Sequence, residues 1–177
     1  MSYDISLYRI KNGEIVFCTP EEAAACINLL KTVYTNKLYE DNRVVMQFED
    51  GSSVEVGLWE DEKAITGLTF HTRGISLCMA EFIYNMAVAG NFVILDTGGD
   101  DTLENPLALM TSTSVLEEVG VNEFENPRLC KDVKDFIDFW GIKPEDTGRG
   151  GALVIQVPND DLPQPEPQSI FKRLFSR

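Results

Sequence analysis

Between Arg43 and His71 the chain carries three successive runs with the spacing of half-buried strands. Val44, Met46 and Phe48 share one side of 43–49, Val54, Val56 and Leu58 one side of 53–59, and Ile65, Leu68 and Phe70 mark 63–71. Alternate residues of a strand face the same way, so each run can bury one face. Asp50-Gly51 joins the first two as a hairpin, since glycine accepts the positive φ that such a turn needs. An antiparallel meander of this kind constrains the whole chain. It does not fit the strict strand–helix alternation of a doubly wound parallel fold.

The remaining elements group around the meander. Asp4 to Ile10 reads as a strand, with Ile5 and Leu7 on one side. Asn12-Gly13 is a turn, and 14–18 is the partner strand. Thr19 is placed to cap a helix, with Pro20 at its first position and Glu22 closing a capping box. Its apolar stripe is Ala23, Cys26, Ile27, Leu30, Val33 and Tyr34, and the helix is expected to stop near Asn36. A second helix, opened by Thr72 or Gly74, is expected over 75–89, with Gly90-Asn91 as its terminator. The unbroken apolar run 92–95 fits a strand covered on both faces. A further strand is expected over 106–111. Ser114 and Glu117 frame a short helix ending at Val119. Asn126-Pro127 would open a third main helix through Leu129, Cys130, Val133, Phe136, Ile137 and Trp140, and Ala152 to Val157 a last strand. The expected fold is α+β: one globular domain over 1–157, a largely antiparallel sheet with three main helices packed on it. Residues 158–168 hold four prolines and several acids and read as a linker, followed by a short basic amphipathic tail over 169–177.

Of the 177 residues, 44% are apolar, enough for one full core. Asp and Glu total 29 against 15 Lys and Arg, a formal net charge of −14. Such a surface repels phosphate backbones, which argues against nucleic acid, and attracts basic protein surfaces. The same charge also serves solubility alone. No basic segment precedes an apolar core at the start, and no apolar run reaches the ~18 residues of a membrane span. A cytoplasmic protein without a membrane span is expected. The four cysteines (Cys18, Cys26, Cys78, Cys130) lack close metal spacing, and Cys26, Cys78 and Cys130 fall on apolar helix faces. They read as reduced and structural. His71 is the sole histidine, and nothing near it in sequence singles out a nucleophile. Neither a metal site nor a cofactor is expected.

The stretch V-I-L-D-T-G-G-D-D-T resembles the active-site loop of retroviral aspartic proteases, and a second D-T-G occurs at 146–148. The resemblance implies Asp96, Thr97 and Gly98 as a catalytic triplet, paired with a second aspartate that shares a proton with the first. Three features depart from the family. A capped helix, not a strand, leads into the triplet; no apolar run ending in Gly-Arg follows; and Asp146 comes after the polar Lys143-Pro144-Glu145. The simpler reading makes Asp96 the end of a strand and the following glycines a turn. An acidic loop also raises calcium, but the oxygen-ligand spacing of an EF-hand is missing. No catalytic residue is assigned, and a hydrolase using these loop carboxylates stays as the alternative.

In the tail, Ile170, Phe171, Leu174 and Phe175 share one helical face, with Lys172 and Arg173 opposite. The spacing of Gln168, Phe171, Leu174 and Phe175 is similar to peptides that dock into sliding-clamp grooves. Packing back on the core, docking on a second subunit, and weak attachment to an anionic membrane are the other readings. In size, acidity and want of a catalytic constellation the chain resembles bacterial toxin-immunity proteins, and the opening M-S-Y-D-I-S-L-Y-R is similar to the starts of such bacterial proteins. That likeness implies a non-catalytic inhibitor of a basic protein, with contacts from acidic loops at Asp61, Asp100, Asp101 and Glu123.

Overall fold

A computed structural model of the chain describes residues 3–38, 43–61, 64–96, 108–120 and 123–142. Ten strands and four helices occur among them, in the order β1 (Tyr3–Tyr8), β2 (Ile10–Lys11), β3 (Glu14–Ile15), α1 (Pro20–Val33), β4 (Tyr34–Leu38), β5 (Arg43–Gln47), β6 (Ser53–Asp61), β7 (Ala64–Thr72), α2 (Leu77–Gly90), β8 (Val93–Asp96), β9 (Ala108–Met110), α3 (Thr113–Val119), β10 (Arg128–Leu129) and α4 (Val133–Phe139). Eight strands form one sheet in the order β10-β9-β8-β1-β7-β6-β5-β4, while β2 and β3 form a separate hairpin. Every pair in the large sheet is antiparallel except β9 with β10. The protein is an α+β domain of the expected kind, and the meander 43–71 is its centre.

The two faces of the sheet are covered differently. Ile5 and Leu7 of β1, Val44 and Met46 of β5, Val54, Val56 and Leu58 of β6, and Leu68 and Phe70 of β7 point to one face. Helices α1, α2 and α4 close over them with Cys26, Leu30, Met79, Phe82, Ile83 and Phe136. Phe82 lies edge-on to Phe48 and Phe70, at centroid distances of 5.7 and 6.2 Å, a favoured arrangement of aromatic quadrupoles. Toward β8 and β9 the opposite face is covered as well. There Val93, Ala108 and Met110 meet Val115 and Val119 of α3 and Ile10 of the hairpin. Strand β8 lies where both layers exist, so its successive residues Val93 and Ile94 are both fully buried, one toward each layer. That placement explains an unbroken apolar run in place of alternation.

Helix ends follow local chemistry, and several differ from the sequence expectation. At α1 the capping box forms: Glu22 N–H donates to Thr19 Oγ1 at 3.2 Å and Thr19 N–H to Glu22 Oε2 at 2.9 Å. The helix stops at Val33, and the chain enters β4 at Tyr34, which pairs with Met46. Tyr34 and Thr35 are residue types suited to a strand, and the free edge of β5 takes them. α2 is capped by Ser76, whose Oγ accepts from Met79 N–H, because Thr72 is still the last residue of β7. Its C-cap is Asn91 in the left-handed region at φ 48°, as Gly90-Asn91 suggests. Ser112, not Ser114, caps α3. The expected helix from Pro127 is two elements: Arg128–Leu129 pair with β9, Cys130 N–H donates to Met110 O at 2.8 Å, and Asp132 caps the shorter α4. The exposed backbone edge of β9 outcompetes a helical first turn for those donors. Ala152 to Val157, the linker and the tail lie outside the described residues.

Gly90 closes α2 against the buried ring of Phe92, where a Cβ would overlap the ring. Gly90→Ala is therefore expected to destabilise the protein by about 1–3 kcal/mol through overpacking, read as a lower urea midpoint at unchanged slope; a wild-type midpoint would contradict this packing.

Candidate functional site

The register separates the ends of the sheet. Tyr8 pairs with Gly67 and Val93, whereas Ile5 pairs with Phe70 and Asp96. The β2–β3 hairpin continues from the Tyr8 end. Its turn residues Asn12 and Gly13 have φ of 52° and 78°, the two positive values of a tight two-residue hairpin. Their amides donate to Glu118 O at 2.7 Å and Val119 O at 3.0 Å, so the tip seats on the last turn of α3.

A buried arginine fixes this corner. Arg9, between β1 and β2, is 6% exposed. Its Nε lies 3.3 Å from Glu22 Oε2 of α1 and its Nη1 2.5 Å from Glu118 Oε2 of α3. Asn91, the cap of α2, donates to Glu22 Oε1 at 2.7 Å. Burial works against charge on both partners. For Arg9 the hydrogen bonds to Glu118 and Glu22 outweigh it and raise the pKa. For Glu22 the Asn91, Thr19 and Arg9 hydrogen bonds outweigh burial and hold the carboxyl below its ordinary range. One ionic cluster thus joins the hairpin, α1, α2 and α3.

The hairpin and the helices beside it carry exposed acids and exposed apolar side chains. Ile15 and Phe17 are 57% and 52% exposed; Val88 is the other exposed large hydrophobic among the described residues. Glu14, Glu21, Glu117, Glu123 and Glu125 are exposed around the hairpin and α3, with Lys11 the exposed base on the hairpin itself. Glu123 lies against Gly13, where an added Cβ would meet its carboxylate. Of the expected contact residues, Glu123 is therefore at this corner. Asp61 ends β6, whose Trp59 pairs with Gly67, placing its backbone toward the same end of the sheet. Asp100 and Asp101 lie outside the described residues, in the stretch between Asp96 and Ala108, both of which sit toward the Ile5 end. The tail residues Ile170, Phe171, Leu174 and Phe175 are also outside them. Ile15, Phe17, Glu14 and Glu117 escaped the sequence reading. A run of Ile15-Val16-Phe17 looks like any buried strand until the pairing shows that, among the described residues, no strand neighbours its outer side.

Asp96 is buried at the end of β8, opposite Ile5, and the helix feeding that strand is α2. Thr97 and Gly98, and the second D-T-G at 146–148, lie outside the described residues. On the face of the meander opposite to α1 and α2, His71 Nδ1 lies 2.9 Å from Asp4 Oδ1, both half-exposed. Glu55, the residue opposite His71, pairs with Arg43 at 2.6 Å. Ser6 Oγ, on the same face, is engaged by Thr69 Oγ1 at 3.0 Å. Among the described residues no group of three or more His, Cys, Asp or Glu side chains is placed to hold a metal ion. None of the helices there is long and apolar enough to cross a membrane. Cys18, Cys26 and Cys130 are buried free thiols, pushed by burial up to about 12, about 12 and about 11. Cys78 is only partly buried; burial and the adjacent Asp50 carboxylate raise it too. Comparison of the chain with protein-family models, curated proteins and solved structures gives no match.

Two outcomes are expected. Because Glu22 has a lowered folded-state pKa, its contribution to stability is complete above the unfolded carboxyl value of about 4.3 and is lost as pH falls through the folded value. Urea midpoints of Glu22→Gln should thus draw closer to those of the wild type as pH falls below the unfolded carboxyl value, with the gap at its full width near neutrality; a gap constant with pH would contradict the cluster. Native protein at pH 8 should react slowly with a disulfide reagent at Cys18, Cys26 and Cys130, since the thiolate is the reactive form. Rapid release of all four thiols without denaturant would contradict their burial.

Proposed function

We propose that the chain is a non-catalytic acidic binding protein of the immunity or inhibitor kind, acting in the bacterial cytoplasm by covering a basic surface of a protein partner. One observation carries this reading. The hairpin that seats on α3 carries exposed Ile15 and Phe17, and Glu14, Glu117 and Glu123 are exposed on the hairpin, on α3 and beside Gly13, in a chain of net charge −14. Complementary charge accelerates encounter and excludes wrong partners, while apolar contacts slow dissociation. The seating of the hairpin on α3 lowers the ordering cost of association.

The partner to test is any secreted protein encoded beside this gene. The two purified proteins should form a stoichiometric complex that abolishes the toxic activity. Replacing Glu14, Glu117 and Glu123 together by Lys should slow association by about tenfold or more at low salt, with a smaller effect at high salt. Full toxic activity in the presence of excess protein, or a neighbourhood with no basic secreted protein, would overturn the inhibitor assignment.

A further inference from the structure

We propose that the outer edge of the chain from Ile15, the end of β3, to Phe17 is a docking strip onto which a basic protein adds an extended segment bearing alternating apolar and Lys or Arg side chains. The inference rests on the binding reading above and deepens it by naming the contact surface and the form of the partner. Backbone geometry supplies the first argument. Lys11 pairs with Glu14 next to the two-residue turn, Ile10 pairs with Ile15, and Val16 N–H donates to Arg9 O at 2.8 Å. In an antiparallel ladder, hydrogen-bonded and non-hydrogen-bonded pairs alternate. Ile15 belongs to the second kind, and its N–H and C=O point away from β2. Cys18 N–H then donates to Ile65 O, so the same side of the chain stays turned inward. The amides of Ile15 and Phe17 thus line an outer edge that no strand among the described residues pairs with, the kind of edge that accepts an added strand.

Side chains give the second argument. Exposure alternates along this segment: Ile15 and Phe17 are exposed, Val16 is partly covered and Cys18 is buried. Ile15 lies opposite Ile10, which packs into the cluster of Val93, Val115 and Val119. The strip therefore runs beside a packed cluster, through the pairing of Ile15 with Ile10.

Charge selects the occupant. Glu14 precedes the strip, Glu21 follows it in the first turn of α1, and Glu117 lies across the hairpin, all exposed. A second copy would bring the same acids and the same −14 charge to the contact, and like charges at an interface are repulsive. A basic segment pairs with those acids while its apolar residues cover Ile15 and Phe17.

The test uses the intact protein and a phage-displayed library of random peptides, panned at near-physiological salt. Enriched peptides are expected to alternate apolar with Lys or Arg residues. The synthesised peptides should slow amide exchange at Ile15 and Phe17. The double substitution Ile15→Ser/Phe17→Ser should weaken binding by about tenfold or more, and Val88→Ser, at an exposed apolar site on α2, by less than about twofold. Thermal melts of both variants should match the wild type, since the replaced side chains are exposed. Basic peptides whose footprint lies elsewhere overturn the strip and leave the acidic-surface reading standing. Peptides that protect the strip without any preference for Lys or Arg overturn the basic partner. Failure to enrich any peptide overturns the strip. A dimer in sedimentation that Phe17→Ser dissociates assigns the strip to a second copy and overturns the occupant proposed here.

Discussion

The ion cluster around Arg9 is the constraint on which the arrangement of the molecule turns. A buried guanidinium is costly unless its charge and its donors are matched, and breaking a buried pair by removing one partner costs about 3–5 kcal/mol. Arg9 has its charge matched by carboxylates from two helices, Glu22 of α1 and Glu118 of α3. Glu22 is itself held by the backbone of Thr19 and the side chain of Asn91. Four elements that lie on different faces of the sheet are thereby set in one geometry. Apolar packing drives the collapse of each layer, but it is non-directional. The directional contacts of Arg9 are what specify how the hairpin and α3 sit relative to α1 and α2.

That geometry decides what the surface can do. With the hairpin tip hydrogen-bonded to the last turn of α3 and its base held by Arg9, the outward side of 15–17 and the acids beside it form one stable surface. The His71–Asp4 pair, by contrast, lies on the polar face of the meander, with the nearby Ser6 hydroxyl turned to Thr69. Distribution of charge thus carries more functional meaning than its total. Glu22 and Glu118 are engaged by Arg9, whereas Glu14, Glu117 and Glu123 are exposed.

The sequence revealed those elements whose signals are local. The meander was legible from its period of two, the hairpin tip from Asn12-Gly13, and α1 from Thr19, Pro20 and Glu22. The end of α2 was legible from Gly90-Asn91, because each of these features satisfies its own backbone. What escaped depends on partners distant in sequence. Residues 128–130 have helical spacing to Val133 and Phe136, yet their amides go to β9. Tyr34 extends the apolar stripe of α1, yet it pairs with Met46. The candidate site follows the same rule. Glu123 could be singled out as an acid in a polar stretch, but Ile15 and Phe17 look like core until the hairpin is seen to stand apart from the large sheet. Nothing in the local sequence of Arg9 announces that two helices will converge on it.

Amide hydrogen exchange in an Arg9→Met variant tests the central role of that residue most directly. The replacement keeps an unbranched side chain and removes the charge. Protection at Asn12, Gly13 and Val16, and along α3, should fall by about tenfold or more relative to the wild type, while Leu68 and Phe70 in the middle of β7 keep most of theirs. A uniform loss across hairpin and central strands alike, or unchanged protection at the hairpin, would show that Arg9 does not hold this corner in place.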